Sequence, residues 1–185
     1  NSAGSAVSGG TGSTVLYQVV VVGAELWGTS GGVAQYLKRF SLLAAPAYVG
    51  EYDVALEAGA GPDTLCYDAT NDRVWISYWT ANKMKVVTRG TGVVHTTFNT
   101  GTTPNAGPPR WIAAYNGAVY TTHTTGRIAR WDGATPAYVS ITTVDASGGE
   151  YWAMTPLAAG ESSVLIAGVG KRLAWWDMST HSARV

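Results

Sequence analysis

Residues 61–101 decide the fold: GPDTLCYDATNDRVWISYWTANKMKVVTRGTGVVHTTFNTG. β-Branched and aromatic residues fill four runs, DTLCYD, RVWISYW, MKVVT and VVHTTFN. The gaps between these runs, ATND, TANK and RGTG, consist of residues that favour turns. The stretch therefore predicts four short antiparallel strands joined by tight turns.

The same pattern returns along the chain at intervals close to 45 residues. The residues that open the second strand-like run recur every 45 positions: Val74, Val119 and Val164. Landmarks of the third run keep intervals of 44 and 45, namely Met84, Ile128 and Leu173, and also Val87, Trp131 and Trp176. A more diverged copy begins with Leu26-Trp27, 48 residues before Val74-Trp75. Four strands in about 45 residues are typical of a β-propeller blade.

The sequence thus predicts an all-β fold of the β-propeller type, with about four blades of four antiparallel strands. The approximate blades are 15–58, 59–103, 104–148 and 149–185, after a Gly/Ser-rich linker or arm at 1–14. A solenoid or an immunoglobulin-like sandwich remains an alternative, although a sandwich predicts no internal period. Four blades form either a complete small propeller or part of a larger one. In a closed ring, the strand Leu16–Val22 would complete the last blade, whose fourth strand only begins where the sequence ends.

Residues 33–45, VAQYLKRFSLLAA, allow two interpretations. In the first copy they contain the third strand, but Val33, Leu37, Phe40 and Ala44 also have helical spacing. Helix and strand both stay open for this segment.

The blade motifs resemble those of the NHL, "YVTN" and lactonase-like propeller repeats. Residues 61–101 and GPPRWIAAYNGAVYTTHTTGRIARWDGATPAYVSITTVDASG (107–148) share the Gly-Pro lead-in, the aromatic second strand and the polar turns of those repeats. The resemblance covers residues 58–185 well and 15–57 loosely. It implies the propeller architecture but no single activity, because propellers include lyases, lactonases, lectins, adhesins and scaffolds.

The charge and cysteine content of the chain limit which partners and which cellular location we expect. Only 13% of residues are charged, against roughly 25% in average soluble domains, and twelve basic residues balance twelve acidic ones. We therefore expect no nucleic-acid partner and no membrane insertion. A polar, uncharged surface is typical of extracellular and virion proteins, which is the localisation we expect. Cys66 is the only cysteine, so an internal disulfide and a zinc site of paired thiolates are excluded, and we expect Cys66 to be buried.

Catalytic motifs are missing from the sequence. It contains no phosphate-binding glycine loop, no G-x-S-x-G turn and no H-E-x-x-H. His95, His123 and His181 fall in different elements, and we expect them at the surface or rim. Asp132 and Asp177 recur 45 residues apart, which favours turn capping over catalysis. The metal ligands of gluconolactonase-like propellers have no clear counterparts here, while the resemblance to lyase-like propellers singles out His123. We therefore predict no enzymatic activity, no metal and no cofactor.

The tryptophans and tyrosines supply a candidate binding surface. Trp75, Trp131 and Trp176 occupy repeat positions, where packing between blades is expected. Other aromatic, amide and charged residues fall on the loops that join second to third strands and successive blades, which share one side of a propeller. This predicted loop face contains Trp79, Asn82, Lys83, Arg110, Trp111, His123, Asp145, Glu150, Tyr151 and Lys171.

The function that these features favour is a non-catalytic module that makes protein–protein contacts in a larger extracellular or virion assembly, of the phage tail or adhesion type. The partners would be other protein chains in an oligomeric assembly. A carbohydrate-binding propeller is one alternative, because aromatic and polar groups on a loop face also suit glycans. A lactonase- or lyase-like propeller enzyme is the other.

Overall fold

The computed structural model describes residues 16–30, 35–43, 47–54, 61–92, 94–100, 107–124, 126–144, 151–156, 163–168 and 173–184. The predicted linker or arm at 1–14 lies outside these ranges. Apart from one turn of 3-10 helix at Trp79–Ala81, the regular structure of the described residues consists of β-strands. The prediction of an all-β fold is confirmed.

The first two sheets contain eight strands. Sheet 1 has β1 (Leu16–Val22), β2 (Glu25–Ser30), β3 (Tyr36–Ser41) and β4 (Tyr48–Asp53). Sheet 2 has β5 (Thr64–Asp68), β6 (Arg73–Tyr78), β7 (Lys83–Thr88) and β8 (Val94–Asn99).

The other two sheets have the same arrangement. Sheet 3 has β9 (Pro109–Tyr115), β10 (Ala118–His123), β11 (Arg127–Asp132) and β12 (Ala137–Thr143). Sheet 4 has β13 (Tyr151–Pro156), β14 (Ser163–Gly168), β15 (Leu173–Asp177) and β16 (Ser182–Arg184). Each sheet is an antiparallel meander in which neighbouring strands follow chain order, as expected for a propeller blade.

The repeat landmarks occupy equivalent strands. Val74, Val119 and Val164 lie in β6, β10 and β14, the second strand of their sheets. This placement confirms the 45-residue period.

Two alternatives that the sequence left open are decided by strand pairing. Residues 36–41 form a strand paired with both β2 and β4, so a helix there is wrong. The idea that Leu16–Val22 completes the last blade is also wrong, because β1 pairs with β2 in its own sheet. The short strand β16 completes sheet 4 instead.

Turn chemistry closes the hairpins. Asn116-Gly117 joins β9 to β10 with φ values of 47° and 76°, and a two-residue hairpin loop favours Asn-Gly when both residues need positive φ. Asp132 Oδ1 accepts the backbone N–H of Ala134 at 2.8 Å and of Thr135 at 3.1 Å. Asp177 Oδ1 accepts the N–H of Ser179 at 2.9 Å in the equivalent turn of sheet 4. The predicted turn-capping role of the recurring aspartates is confirmed.

Three apolar clusters join consecutive sheets. The first combines Trp27 and Leu37 of sheet 1 with Val74 of sheet 2. The second combines Trp75 and Met84 of sheet 2 with Val119 and Trp131 of sheet 3, and the third combines Tyr120 and Ile128 of sheet 3 with Trp176 of sheet 4. The first strands touch in chain order, β1 with β5, β5 with β9 and β9 with β13. The core of the protein therefore lies between its blades.

The repeat-position tryptophans are buried in these clusters. Trp75, Trp131 and Trp176 are at most 2% exposed, so the expected packing between blades is confirmed. Phe98 stacks on Trp75 at 5.8 Å between ring centroids and contacts the Trp131 ring at 5.4 Å. Cys66 is buried in the same cluster, as expected, and burial raises the pKa of its thiol.

Candidate functional site

Two residues of the predicted loop face come from different sheets and meet. Trp79 begins the 3-10 turn between β6 and β7, while Arg110 lies near the start of β9. The guanidinium carbon of Arg110 is 3.7 Å from the centre of the Trp79 ring, which is a close cation–π contact. Trp79 remains 37% exposed. The pair therefore forms an aromatic and cationic spot at the junction of sheets 2 and 3.

Asp63 completes this spot, and the sequence analysis did not single it out. Its carboxylate accepts the backbone N–H of Trp79, which fixes the start of the turn. Burial raises the pKa of Asp63, while the hydrogen bond from Trp79 and the charge of Arg110 act in the opposite direction. We call Asp63, Trp79 and Arg110 the Trp79 cluster. The signal that could have found Asp63 is its position directly after the Gly-Pro lead-in of the blade.

Asn82 and Lys83 lie at the same turn, where Asn82 has a structural role. Asn82 has a left-handed conformation with φ of 51°. Its carbonyl accepts both the N–H and the hydroxyl of Thr100, at 2.7 and 2.9 Å. Asn82 therefore ties the end of β8 to the turn, and Lys83 follows it as the first residue of β7. Trp111 is half-buried against the cluster between sheets 3 and 4, so it is not an open platform.

His123 is not a surface residue, and the expectation of a rim position is wrong. It is 0% exposed at the end of β10. Its Nδ1 is 2.9 Å from the carbonyl oxygen of Gly107, which can only accept, so Nδ1 carries the hydrogen. Nε2 is 2.8 Å from Thr121 Oγ1, which in turn accepts the indole N–H of Trp131 at 2.9 Å. A neutral imidazole fits this arrangement, with the Thr121 hydroxyl donating to Nε2.

The electrostatics of His123 agree with this hydrogen bonding. Burial lowers its pKa to about 4, although the bond to Gly107 works in the opposite direction. Tyr78 lies 45 residues earlier at the equivalent end of β6, and its hydroxyl donates to the carbonyl of Val54. Both side chains thus anchor the segment that enters their own sheet. His123 and Tyr78 occupy the same position in successive repeats. This equivalence is the sequence signal that could have predicted the burial of His123.

Of the other two histidines, only His181 has a described side chain. His181 is half-buried in the turn before β16, with φ of 56°, and its Nδ1 is 3.0 Å from the Tyr120 hydroxyl. The side chain of His95 lies outside the described residues, and so does that of Tyr151, the first residue of β13. Asp145, Glu150 and Lys171 of the loop face also lie outside the described residues.

A groove on the opposite side of the molecule was not predicted from the sequence. It lies between sheets 2 and 3, has a volume of about 460 Å³, and is lined by Tyr67, Thr70, Tyr115 and Asn116 among others. Its walls are the ends of β5 and β9 and the turns that follow them, and their juxtaposition depends on how the two sheets pack. Among the described residues no three His, Cys, Asp or Glu side chains lie together as metal ligands. The one helical segment within the described ranges is three residues long, so it cannot cross a membrane.

Comparison with solved structures places the sheets in a known architecture. The chain superposes on the crystal structure of the computationally designed Ika8 protein with a TM-score of 0.66 and 13% identity, covering 92% of this chain and 48% of that one. For the designed Ika4 protein the TM-score is 0.66 and the identity 14%, with 93% of this chain and 96% of that one covered. Both are designed β-propellers. The chain has a β-propeller fold.

The propeller spans about half the length of Ika8. At this level of identity the likeness concerns the fold and not the activity. No protein-family model and no curated protein sequence matches the chain.

Proposed function

We propose that this propeller is a non-catalytic module that makes protein–protein contacts in a larger extracellular or virion assembly, of the phage tail or adhesion type. The observation that carries the proposal is the exposed Trp79 ring held against the Arg110 guanidinium, 3.7 Å from its centre. Tryptophan and arginine are the residue types most enriched at the energetic centres of protein interfaces.

The Trp79 cluster is suited to binding because it is already ordered. Asp63 holds the backbone of Trp79, and Trp79 supports Arg110, so neither side chain needs to be fixed by the partner. A preorganised site loses less conformational entropy on association. The balanced charge of the chain, twelve basic and twelve acidic residues, implies recognition by contact and not by long-range attraction. The polar, weakly charged composition supports an extracellular or virion location.

Carbohydrate binding is the second candidate function. The observation in its favour is an exposed indole together with the carboxylate of Asp63, which is bonded to the backbone N–H of the same tryptophan; aromatic rings and carboxylates suit sugar rings and hydroxyls. Arg110 covers one face of the indole, however, so a sugar could stack only on the other face. This geometry ranks protein contact first.

The lactonase- or lyase-like alternative gains no support from the described residues. His123, which the lyase resemblance singled out, is fully buried with both ring nitrogens hydrogen-bonded. Kinship with the NHL, "YVTN" and lactonase-like repeats in particular remains part of the proposal, supported by the blade motifs alone.

Crosslinking from the Trp79 cluster would test the proposed function. A photo-crosslinking amino acid at Thr80, exposed beside Trp79, would be expressed in cells of the source organism, with the same group at Val139 on β12 as control. We expect a protein to be crosslinked from position 80 and not from 139. Against that protein in purified form, Trp79→Ala should weaken binding on the order of 30-fold or more, as for an interface hot spot, while Val139→Ala should have little effect.

Two other outcomes would count against protein contact. Binding unchanged by Trp79→Ala would remove the Trp79 cluster from the interface. Trp79-dependent binding to an oligosaccharide array, without a crosslinked protein, would favour the carbohydrate-binding alternative.

A further inference from the structure

Each contact between blades uses the same two faces of a sheet. We call the face that packs on the preceding sheet the leading face and the one that packs on the following sheet the trailing face. Val74, Val119 and Trp176 are leading-face residues of sheets 2, 3 and 4, and all are at most 2% exposed. Trp27, Trp75 and Tyr120 are trailing-face residues of sheets 1, 2 and 3, and all are at most 1% exposed. The chain therefore repeats one buried apolar interface three times.

Among the described residues no sheet precedes sheet 1, and several apolar residues near the β1–β2 turn of its leading face are exposed. Val20, Val22 and Trp27 pack towards sheet 2, so the alternating residues Val19 and Val21 point to the opposite side. They are 45% and 57% exposed. Their register partners across the strands, Gly28 and Leu26, share this face, because directly paired residues point the same way.

The apolar area continues around the β1–β2 turn. The N–H of Leu42 donates to the carbonyl of Ala24 at 2.8 Å, which brings Leu42 to this turn. Leu42 is 48% exposed and Leu43 is 67% exposed. Lys38, farther along the leading face, is buried, so the exposed apolar area is concentrated towards the turn. Exposed apolar patches of this kind on soluble proteins mark interaction surfaces.

The trailing face of sheet 4 shows the complementary situation. Trp176 packs towards sheet 3, so the adjacent residue Trp175 points to the trailing side, where it is 45% exposed. Its equivalent in sheet 2, Val86, is 0% exposed in the cluster shared with sheet 3. Contacts comparable to those between β1 and β5 or between β9 and β13 do not join β13 to β1 in the described part of the chain. In the described part of the chain, the apolar residues exposed on these two end faces correspond to the two halves of the repeated interface.

We infer that the leading face of sheet 1 packs on the trailing face of sheet 4 of a second copy, and that the reciprocal contact closes a two-chain ring of eight blades. A head-to-tail interface builds a closed ring when its rotation closes. The second copy is the fitting occupant because this interface already joins blades of this chain three times. A four-blade unit can also be half of a longer array, since this chain matches 48% of the designed Ika8 protein at a TM-score of 0.66. The inference does not depend on the Trp79 cluster, which lies at the junction of sheets 2 and 3.

Native mass spectrometry of the purified 185-residue chain would test the ring. We expect a particle of twice the 19.4 kDa chain mass. Val21→Lys and Trp175→Glu should each weaken the dimer on the order of a hundredfold, because each places an unpaired charge in both copies of an apolar interface. Val139→Lys is the matched control: Val139 is 44% exposed on the outer strand β12, and its replacement should leave the dimer intact.

Mixing the two interface variants makes the test specific for head-to-tail contact. A mixed dimer of Val21→Lys with Trp175→Glu has one unaltered interface and one in which the new charges are opposite, so it should form where neither variant dimerises alone. Near-ultraviolet circular dichroism of the buried tryptophans would show that both variants remain folded. A monomeric wild-type protein, a particle of another chain number, a dimer insensitive to both substitutions, or the failure of the mixed dimer would overturn the inference.

Discussion

His123 combines complete burial with hydrogen bonds at both ring nitrogens. Its pKa is about 4 in the folded protein, against 6.5 in an unfolded chain. Between these two pH values the unfolded state binds a proton at this position that the folded state does not, so stability must fall as the pH falls from 6.5 to 4. The shift implies a loss of about 3 kcal/mol over this window.

Urea unfolding at pH 7 and pH 4.5 would measure this effect. His123→Gln should lower the stability at pH 7, because the bonds to Thr121 and Gly107 are disturbed, but it should remove most of the drop on acidification. If the unfolding free energy changed by the same amount between the two pH values in the wild-type protein and in the variant, a buried neutral His123 would be contradicted.

Sequence reasoning missed the environment of His123 for a definite reason. A single histidine after a strand is usually placed at the rim, and only comparison with Tyr78 of the preceding blade reveals a shared anchoring position. The sequence placed Trp79 and Arg110 on the same loop face, but it did not predict that their side chains are in contact. The two residues are 31 positions apart, and their contact depends on how sheets 2 and 3 are juxtaposed.

At the scale of single strands, apolar packing between blades dominates stability. Trp131 in β11 is 1% exposed and contacts Phe98 of sheet 2 and Tyr138 of its own sheet. Trp131→Ala should destabilise the protein by about 3–5 kcal/mol, the range for large buried aromatics. Trp79→Ala is the matched control, because the same residue type there is 37% exposed, and it should cost only about 1 kcal/mol. Denaturant midpoints at neutral pH would compare them, and similar losses for both variants would refute the distinction.

Gly133 lies in tight contact with side chains of the β5–β6 turn of sheet 2. A Cβ at this position would collide with the Asp68 carboxylate and would lie 2.6 Å from Asn71 Nδ2 and 2.5 Å from the carbonyl of Gly117. The carbonyl of Gly133 also accepts a hydrogen bond from Arg73 of sheet 2. Gly133→Ala should therefore cost about 2 kcal/mol or more, by disturbing packed backbone and turn contacts.

Gly61→Ala provides the control for this substitution. A Cβ at Gly61 meets no atom within 4 Å, so the change should be neutral or stabilise the protein by up to about 1 kcal/mol through the unfolded state. Thermal unfolding of both variants would compare them. If Gly133→Ala were as stable as Gly61→Ala, the contact between the two turns would not be tight.

The strands were predicted correctly where residues that favour turns separate them, but the prediction for β3 was ambiguous. The strand β3 carries apolar residues on both of its faces, so the simple alternation of a half-buried strand is lost. Leu37 packs towards sheet 2, while Phe40 is paired with Leu26 on the opposite face. Their separation of three residues therefore resembled a helix, although the two side chains belong to different faces of one strand.

The whole molecule is built on one interface between blades that is used repeatedly. The 45-residue period predicted four equivalent units, and the structure shows three of their contacts buried. Whether the ring closes was left open by the sequence, because a periodic pattern is the same in an arc and in a ring. The exposure of Val21 and Trp175 on the two end faces is the observation on which the proposed two-chain ring rests.

A crystal structure of the purified protein in its solution assembly would test the proposed two-chain ring. We expect two chains in one ring of eight four-stranded blades, with Val21 of each chain buried against sheet 4 of the other and Trp175 buried at the same boundary. A single chain closed into a four-bladed ring, with β13 packed against β1 and both residues buried within that chain, would contradict it.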